Sequence, residues 1–99
     1  MLTSKQRAFL RGRASTLETI LLVGKDGVTE NTEKQANDAL TARELIKGKV
    51  LETCMYSANE VVRMLAEACN AEPVCAIGSK FVLYRENRKL APEKRITLP

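Results

Sequence analysis

The sequence predicts an α/β fold: a two-layer sandwich of order α-β-α-β-α-β-β, in which helices pack on a mixed four-stranded sheet. Short apolar runs of strand length alternate with longer segments that carry helix-start signals. Only the Gly78-Ser79 turn separates the last two strands, so these are expected to form a hairpin. With 99 residues, 44% of them apolar, the chain can bury one core, and we expect one domain.

Three helices are predicted from their start signals. Thr3 and Gln6 have the spacing of a capping box for a helix over Ser4–Ala14, and Thr29 is an N-cap candidate for a helix over Glu30–Arg43. A third capping box begins at Ser57, and that helix is expected to end near Asn70.

Four strands are predicted at 19–23, 45–51, 74–77 and 80–85. In the second strand Lys47 and Lys49 alternate with apolar positions and therefore share one side. Lys47 is interpreted as part of an exposed edge, whereas Lys49 fits an edge or a phosphate-facing surface equally well. Gly48 is expected to weaken this strand or to mark a bulge.

The charge and composition are compatible with an anionic partner, although many small basic proteins bind nothing specific, and they give no sign of catalysis. The formal net charge is +4 and the pI is near 9.2. The chain has no histidine, no P-loop spacing and no paired acids at catalytic spacing, so we predict neither an enzyme nor a cofactor nor a metal site. The three cysteines, Cys54, Cys69 and Cys75, are expected to be free thiols in a reducing compartment.

Membrane and export signals are also missing from the sequence. No apolar run approaches the roughly 18 residues of a membrane span, and the first residues have no apolar core of a signal peptide. We therefore expect a cytoplasmic protein with no membrane partner and no small-molecule substrate, and we expect a monomer.

The stretch 23–29 is the most informative part of the chain. Gly24 and Gly27 bracket Lys25 and Asp26 between an apolar strand and a helix start. Glycines permit a sharp turn, and free N–H groups at a helix start suit a phosphate. The turn is therefore a candidate clamp for a nucleic-acid backbone, and an ordinary glycine-rich connection is the alternative.

The first helix carries four positive side chains and no acid: Lys5, Arg7, Arg11 and Arg13. Arg7 and Arg11 are four residues apart, so their like charges mildly disfavour the helix. A bound anion would relieve this repulsion. A solvated basic face is the alternative.

Four motifs follow one another along the chain: LTxKQRxxLR (2–11), VGKxGVT (23–29), ALxxRELIKxKV (39–50) and IGxxFVLYR (77–85). In this order the chain resembles the YhbY-type proteins, the free-standing bacterial form of the RNA-binding CRM domain. The resemblance covers residues 1–86. It implies a fold like that of the C-terminal domain of translation initiation factor three. It also implies binding of ribosomal RNA as an assembly factor of the large ribosomal subunit.

The resemblance implies a site position by position. The RNA-binding candidates are Gly24, Lys25, Asp26 and Gly27 in the loop, Lys5, Arg7 and Arg11 on the first helix, and Arg85 after the last strand. Asp26 departs from the family by placing an acid beside Lys25, and Gly48 departs by standing where a β-branched residue is usual. Tyr84 is a candidate for base stacking or, alternatively, for the core.

The C-terminal residues and the class of function leave two further expectations. Residues 87–99 are basic and are predicted to be a flexible tail outside the CRM-type domain of residues 1–86. A second function is kept open: a protein–protein adaptor on ribosome precursors, whose basic surface is incidental.

Overall fold

The computed structural model describes residues 2–99. Its helices are α1 Ser4–Ala14, α2 Glu30–Arg43 and α3 Ala58–Cys69, with a short 3-10 helix at Pro92–Lys94. Its strands are β1 Thr19–Val23, β2 Leu45–Val50, β3 Glu72–Ile77 and β4 Lys80–Tyr84. The predicted α/β class, element order and four-stranded mixed sheet are confirmed.

Capping boxes begin all three α-helices: Thr3 with Gln6, Thr29 with Thr32, and Ser57 with Glu60. In each box the first side chain accepts from the backbone N–H three residues on, and the second side chain accepts from the first residue's N–H. The third helix ends at Asn70, whose φ of 53° is left-handed, as the sequence predicts.

The strand order is β1-β2-β4-β3, with β1 parallel to β2 and the other neighbours antiparallel. Strand β2 is therefore central, and the interpretation of Lys47 as an edge residue is wrong. Lys47 lies between Thr19 on β1 and Val82 on β4. The edge strands are β1 and β3, and the edge position of β3 explains why Pro73 is tolerated inside that strand.

Helices cover both faces of the sheet. Helices α2 and α3 cover one face and enclose the larger core, which includes Ile46, Phe81 and Leu83. The alternate residues Val82 and Tyr84 point to the opposite face, where α1 covers them. The sheet and the helices α2 and α3 form the two predicted layers. Helix α1 adds a partial third layer on the opposite face of the sheet. Tyr84 is only 4% exposed, so its ring belongs to the core and offers no surface for stacking.

A close contact between Gly48 and Phe81 fastens the two central strands. The two residues are register partners, and a Cβ on Gly48 would overlap the Phe81 ring. The ring therefore occupies the space of the missing side chain, in the manner of an aromatic that covers a strand glycine. The β2–β4 register continues unbroken past Gly48. The β1–β2 pairing, however, shifts register opposite Lys47 and Gly48, so an irregularity does occur at the predicted position, on the neighbouring strand. The irregularities lie in β1, between Thr19 and Leu21, and in β3, between Pro73 and Cys75.

Glu44 is buried and fastens the C-terminal tail to the start of β2. Its side chain is fully shielded from solvent, and its two carboxylate oxygens accept from the backbone N–H groups of Asn87 at 2.6 Å and Ile96 at 2.7 Å. The Arg95 Nε lies 3.7 Å from the same carboxylate. A buried carboxylate requires such partners, because an unpaired charge in the interior is very unfavourable.

Apolar contacts add to this attachment. Ile96 and Leu98 pack against the cluster beneath α1, and the Gln6 side chain donates to the Pro99 carbonyl at 3.3 Å. The tail thus lies along the α1 face of the sheet. Its predicted flexibility stays a prediction, and the contacts of Glu44 are those that such motion would have to break.

We expect Gly48→Ala to destabilise the fold by about 1–3 kcal/mol, because the new methyl group forces the Phe81 ring out of place. Gly12→Ala is the matched control, since nothing lies within 4 Å of its added Cβ, and it should stabilise α1 by about 1 kcal/mol. Urea unfolding followed by circular dichroism measures both. Equal effects from the two substitutions would show that the Phe81 contact is unimportant.

We expect Glu44→Gln to loosen the tail, because an amide offers only one acceptor oxygen and no charge to the two N–H groups. Hydrogen exchange at Asn87 and Ile96 should accelerate at least about tenfold, which corresponds to about 1.4 kcal/mol, the lower end of the contribution of a charged hydrogen bond. Glu93→Gln, at an exposed tail position, is the control. Unchanged exchange at both amides in Glu44→Gln would mean that apolar packing alone holds the tail.

Candidate nucleic-acid interface

Residues 24–27 form a tight turn directly after β1, which we call the glycine turn. The Gly27 N–H donates to the Gly24 carbonyl at 3.0 Å, and Gly27 has a φ of 67°. This conformation favours glycine and leaves the side chains of Lys25 and Asp26 exposed at the tip. Within residues 2–99, the backbone N–H groups of Lys25 and Asp26 donate to no protein acceptor. They are available to a ligand oxygen.

The start of α2 contributes less positive charge than the sequence suggests. The Thr29 hydroxyl accepts from the Thr32 N–H at 3.3 Å, and the Thr32 hydroxyl donates to the Gly27 carbonyl at 3.4 Å. Glu30 and Glu33 lie in the first turn, where they offset the positive end of the helix dipole. Anion binding at this position would therefore depend on Lys25 and the amides of the glycine turn more than on the helix.

An uncovered row of side chains crosses the sheet on the α1 face, next to the glycine turn. The register aligns Leu22, Lys49, Lys80 and Ile77 across β1, β2, β4 and β3. All four are exposed. We call them the open sheet row. Lys49 and Lys80 are direct cross-strand partners, and like charges at that distance repel each other, so an anion between them would stabilise both.

A basic groove borders the open sheet row. Arg11, Lys47 and Lys80 surround an apolar floor that includes Cys75 and Val82. Burial raises the pKa of the Cys75 thiol, and the nearby charges of Arg11 and Lys47 lower it by less. The thiol therefore stays protonated near neutral pH and is not an activated nucleophile.

The positively charged side chains of α1 lie at different places on the protein surface. Arg11 joins the basic groove, whereas Arg7 lies beside Asn59 and Arg63 of α3, at the β3 edge of the sheet. Lys5 is exposed at the far end of the helix. The predicted basic helix is thus not one continuous track, and only Arg11 is brought together with the lysines of the sheet.

Arg85 lies at the other end of the sheet, away from the glycine turn. Its guanidinium donates to Asn37 Oδ1 at 2.6 Å, the Asn37 carbonyl at 3.0 Å, the Cys69 carbonyl at 2.9 Å and Thr41 Oγ1 at 2.7 Å. These bonds tie the end of β4 to α2 and α3. The position gives Arg85 a structural role, and we leave it out of the candidate interface.

Lys80 is a residue of this surface that the sequence did not reveal. Its charge stands alone beside the Gly78-Ser79 turn, and nothing local connects it with Lys49. Lys47 and Lys49 alternate with apolar residues and therefore lie on one side of β2. This alternation was the sequence pattern that could have indicated a basic surface on the sheet. Their significance depends on the strand order, which brings β4 next to β2.

The fold and this basic surface define a class of small α/β domain, and comparison with known proteins identifies the family. A model of the CRS1 / YhbY (CRM) domain matches residues 2–85. The chain belongs to this family.

Two relatives and one solved structure cover nearly the whole chain. The chain is 44% identical over 99 residues to "Probable RNA-binding protein YqeI" of Bacillus subtilis, with 100% of both proteins covered. It is 33% identical over 98 residues to a protein of Haemophilus influenzae named "RNA-binding protein", covering 99% of this chain and 95% of that one. The solution structure of SAV1595 from Staphylococcus aureus matches with a TM-score of 0.82 and 41% identity, over 100% of both chains.

Metal sites and membrane spans are both missing from residues 2–99. Among these residues, no group of three or more histidine, cysteine or acidic side chains is placed to hold a metal ion. No helix in this part of the chain has the length and apolar character needed to cross a membrane.

We expect Arg85→Ala to destabilise the protein by about 1–3 kcal/mol, because it removes four charged hydrogen bonds, one of them to the part-buried Cys69 carbonyl. Arg88→Ala, whose side chain is 86% exposed, should change the free energy of unfolding by less than about 0.5 kcal/mol. Chemical denaturation of both variants measures the difference. A stable Arg85→Ala protein would make this residue a ligand-binding candidate again.

Proposed function

We propose that this protein binds RNA through one continuous surface made of the glycine turn, the open sheet row and the basic groove. The observation that carries the proposal is the position of Leu22. This side chain lines the cleft of the glycine turn and also begins the open sheet row. The turn with Lys25 and the sheet with Lys49 and Lys80 are therefore parts of the same surface.

The chemistry of this surface suits a phosphate backbone. Lys25 and the free amides of the glycine turn would hold one phosphate, and Lys49 and Lys80 would hold the next along the chain. Arg11 extends the positive charge to the groove. Contacts of this kind position an RNA without reading its bases, so they would confer little sequence preference. Asp26 reduces the local charge and would weaken binding at the tip.

The proposed partner is ribosomal RNA of large-subunit precursors, with the protein acting as an assembly factor and not as an enzyme. The support is the resemblance to YhbY-type proteins across four motifs, together with relatives that are named for RNA binding. No cofactor is part of the proposal.

We expect the double variant Lys49→Ala/Lys80→Ala to bind fragments of large-subunit ribosomal RNA more weakly than wild type. Because released counterions drive such binding, the log–log slope of affinity against salt should fall by roughly 0.7–0.9 for each phosphate that the variant no longer binds. Lys34→Ala/Lys89→Ala is the control, since it removes the same charge from exposed sites on α2 and the tail. Fluorescence anisotropy across a salt series measures the slopes.

The outcomes separate the two functions considered. Equal slopes for the two double variants would mean that only net charge matters, and the proposed surface would be wrong. No binding of naked RNA at moderate salt would favour the protein–protein adaptor, and a pull-down from ribosome precursors would then identify its partner. Equal binding to small-subunit fragments would leave RNA binding in place and remove the proposed large-subunit preference.

A further inference from the structure

Exposed apolar side chains gather around the glycine turn. Of the six exposed large apolar residues among residues 2–99, three lie here: Leu22, Leu51 and Tyr56, which are 59%, 37% and 43% exposed. Met55, which is 91% exposed, directly precedes Tyr56 in the sequence. Apolar surface concentrated beside charged groups indicates a binding site more often than chance exposure does. The phosphate contacts proposed above give these residues no role.

Tyr56 is positioned by a direct contact with the glycine turn. Two of its ring carbons lie 3.2 and 3.3 Å from the place where a Cβ on Gly27 would be, so the ring edge packs on the bare backbone of that glycine. Tyr56 as a whole is 43% exposed, so the residue is only partly covered. An aromatic ring fixed in this way offers a flat face at little cost in side-chain entropy.

The loop that carries Tyr56 is also tied to the end of β1. The Leu51 N–H donates to the Val23 carbonyl at 2.8 Å, and the Cys54 N–H donates to the Leu51 carbonyl at 3.0 Å. The Tyr56 N–H donates to Cys54 Sγ at 3.4 Å. These bonds keep the ring beside the glycine turn.

We propose that RNA bound at the glycine turn stacks an unpaired base on the ring of Tyr56. The inference rests on the proposed function and specifies its ligand: an unpaired nucleotide in a single-stranded segment or loop. A base inside a continuous duplex is already stacked on its neighbours and is unavailable to a side chain. A base whose phosphate is held by Lys25 has an open aromatic face close by, and Met55 adds apolar surface next to it.

Tyr56 is the one aromatic residue suited to this role in residues 2–99. Phe81 and Tyr84 are buried in the two cores. The face of the Phe9 ring is occupied by the guanidinium of Arg13, whose Cζ lies 5.9 Å from the ring centroid. The setting favours RNA over an apolar protein partner, because the exposed positive charges of Lys25 and Lys49 lie beside these apolar residues and attract an anionic ligand, although Asp26 partly offsets Lys25. Stacking on one aromatic ring tolerates any base, which agrees with weak sequence preference.

The test compares three probes: a short oligouridine, an abasic oligonucleotide of the same length and a blunt RNA duplex. Wild type should bind oligouridine at least about fivefold more tightly than the abasic probe, the lower bound for stacking on one aromatic side chain. Tyr56→Phe keeps the ring and should keep this preference. Tyr56→Leu keeps apolar bulk against Gly27 but has no flat face, and it should lose the preference.

The salt dependence distinguishes stacking from mere support of the glycine turn. Tyr56→Leu removes no phosphate contact, so its salt slope should equal that of wild type. A shallower slope, with equal losses for oligouridine and abasic probes, would show that Tyr56 only shapes the turn, and would overturn the proposal. Retention of the base preference in Tyr56→Leu would overturn it as well, and so would equally tight binding of the duplex by wild type.

The failure of this inference differs from failure of the proposed function. If Lys49→Ala/Lys80→Ala lowers the salt slope while Tyr56→Leu keeps the wild-type preference for oligouridine over the abasic probe, the RNA surface is supported and the stacking contact is wrong. If wild type binds neither oligouridine nor duplex at moderate salt, both the RNA surface and the stacking contact are wrong.

Discussion

The contact between Phe81 and the bare backbone of Gly48 is the constraint on which the rest of the structure depends. The ring is fully buried in the larger core, and it can approach this closely only because Gly48 has no side chain. The contact fixes the register between β2 and β4. A slip of one residue would move every side chain of a strand to the opposite face. The same register aligns Lys49 with Lys80 on the other side of the sheet, so the packing of the core determines the spacing of the exposed charges.

The two ends of the sheet use charged residues in opposite ways. At one end the Arg85 guanidinium bonds to α2 and α3, and the buried Glu44 carboxylate bonds to the tail. Those charges have their hydrogen-bond partners inside the protein. At the other end Lys25, Lys49 and Lys80 are exposed and no ion pair involves them within residues 2–99. At a modest net charge of +4, this end of the sheet therefore carries exposed positive side chains without ion-pair partners, which Asp26 partly offsets.

Local signals predicted the elements, and non-local contacts determined most of the site. The capping residues Thr3, Thr29 and Ser57 act within one helical turn, so the bounds of the helices could be predicted from sequence. The glycine turn could be found for the same reason. The central position of Lys47 and the pairing of Lys49 with Lys80 depend on strand order, which no short motif encodes. Arg85 has the residue type of an RNA contact, and only its partners on two helices identify it as structural.

The short length of α1 explains why the basic surface is open at all. Its 11 residues span about 16 Å, and its last turn ends at the groove lined by Lys47, Ile77 and Lys80. One further turn, about 5.4 Å, would extend the helix towards Lys49 and Lys80 and would cover part of that row. The negative end of the helix dipole also points towards this surface and would weaken its attraction for phosphate. Arg11 and Arg13 lie in the last turn and offset that end. Arg11 thereby stabilises the helix end and supplies positive charge to the groove, which is why it, and not Arg7, belongs with the lysines of the sheet.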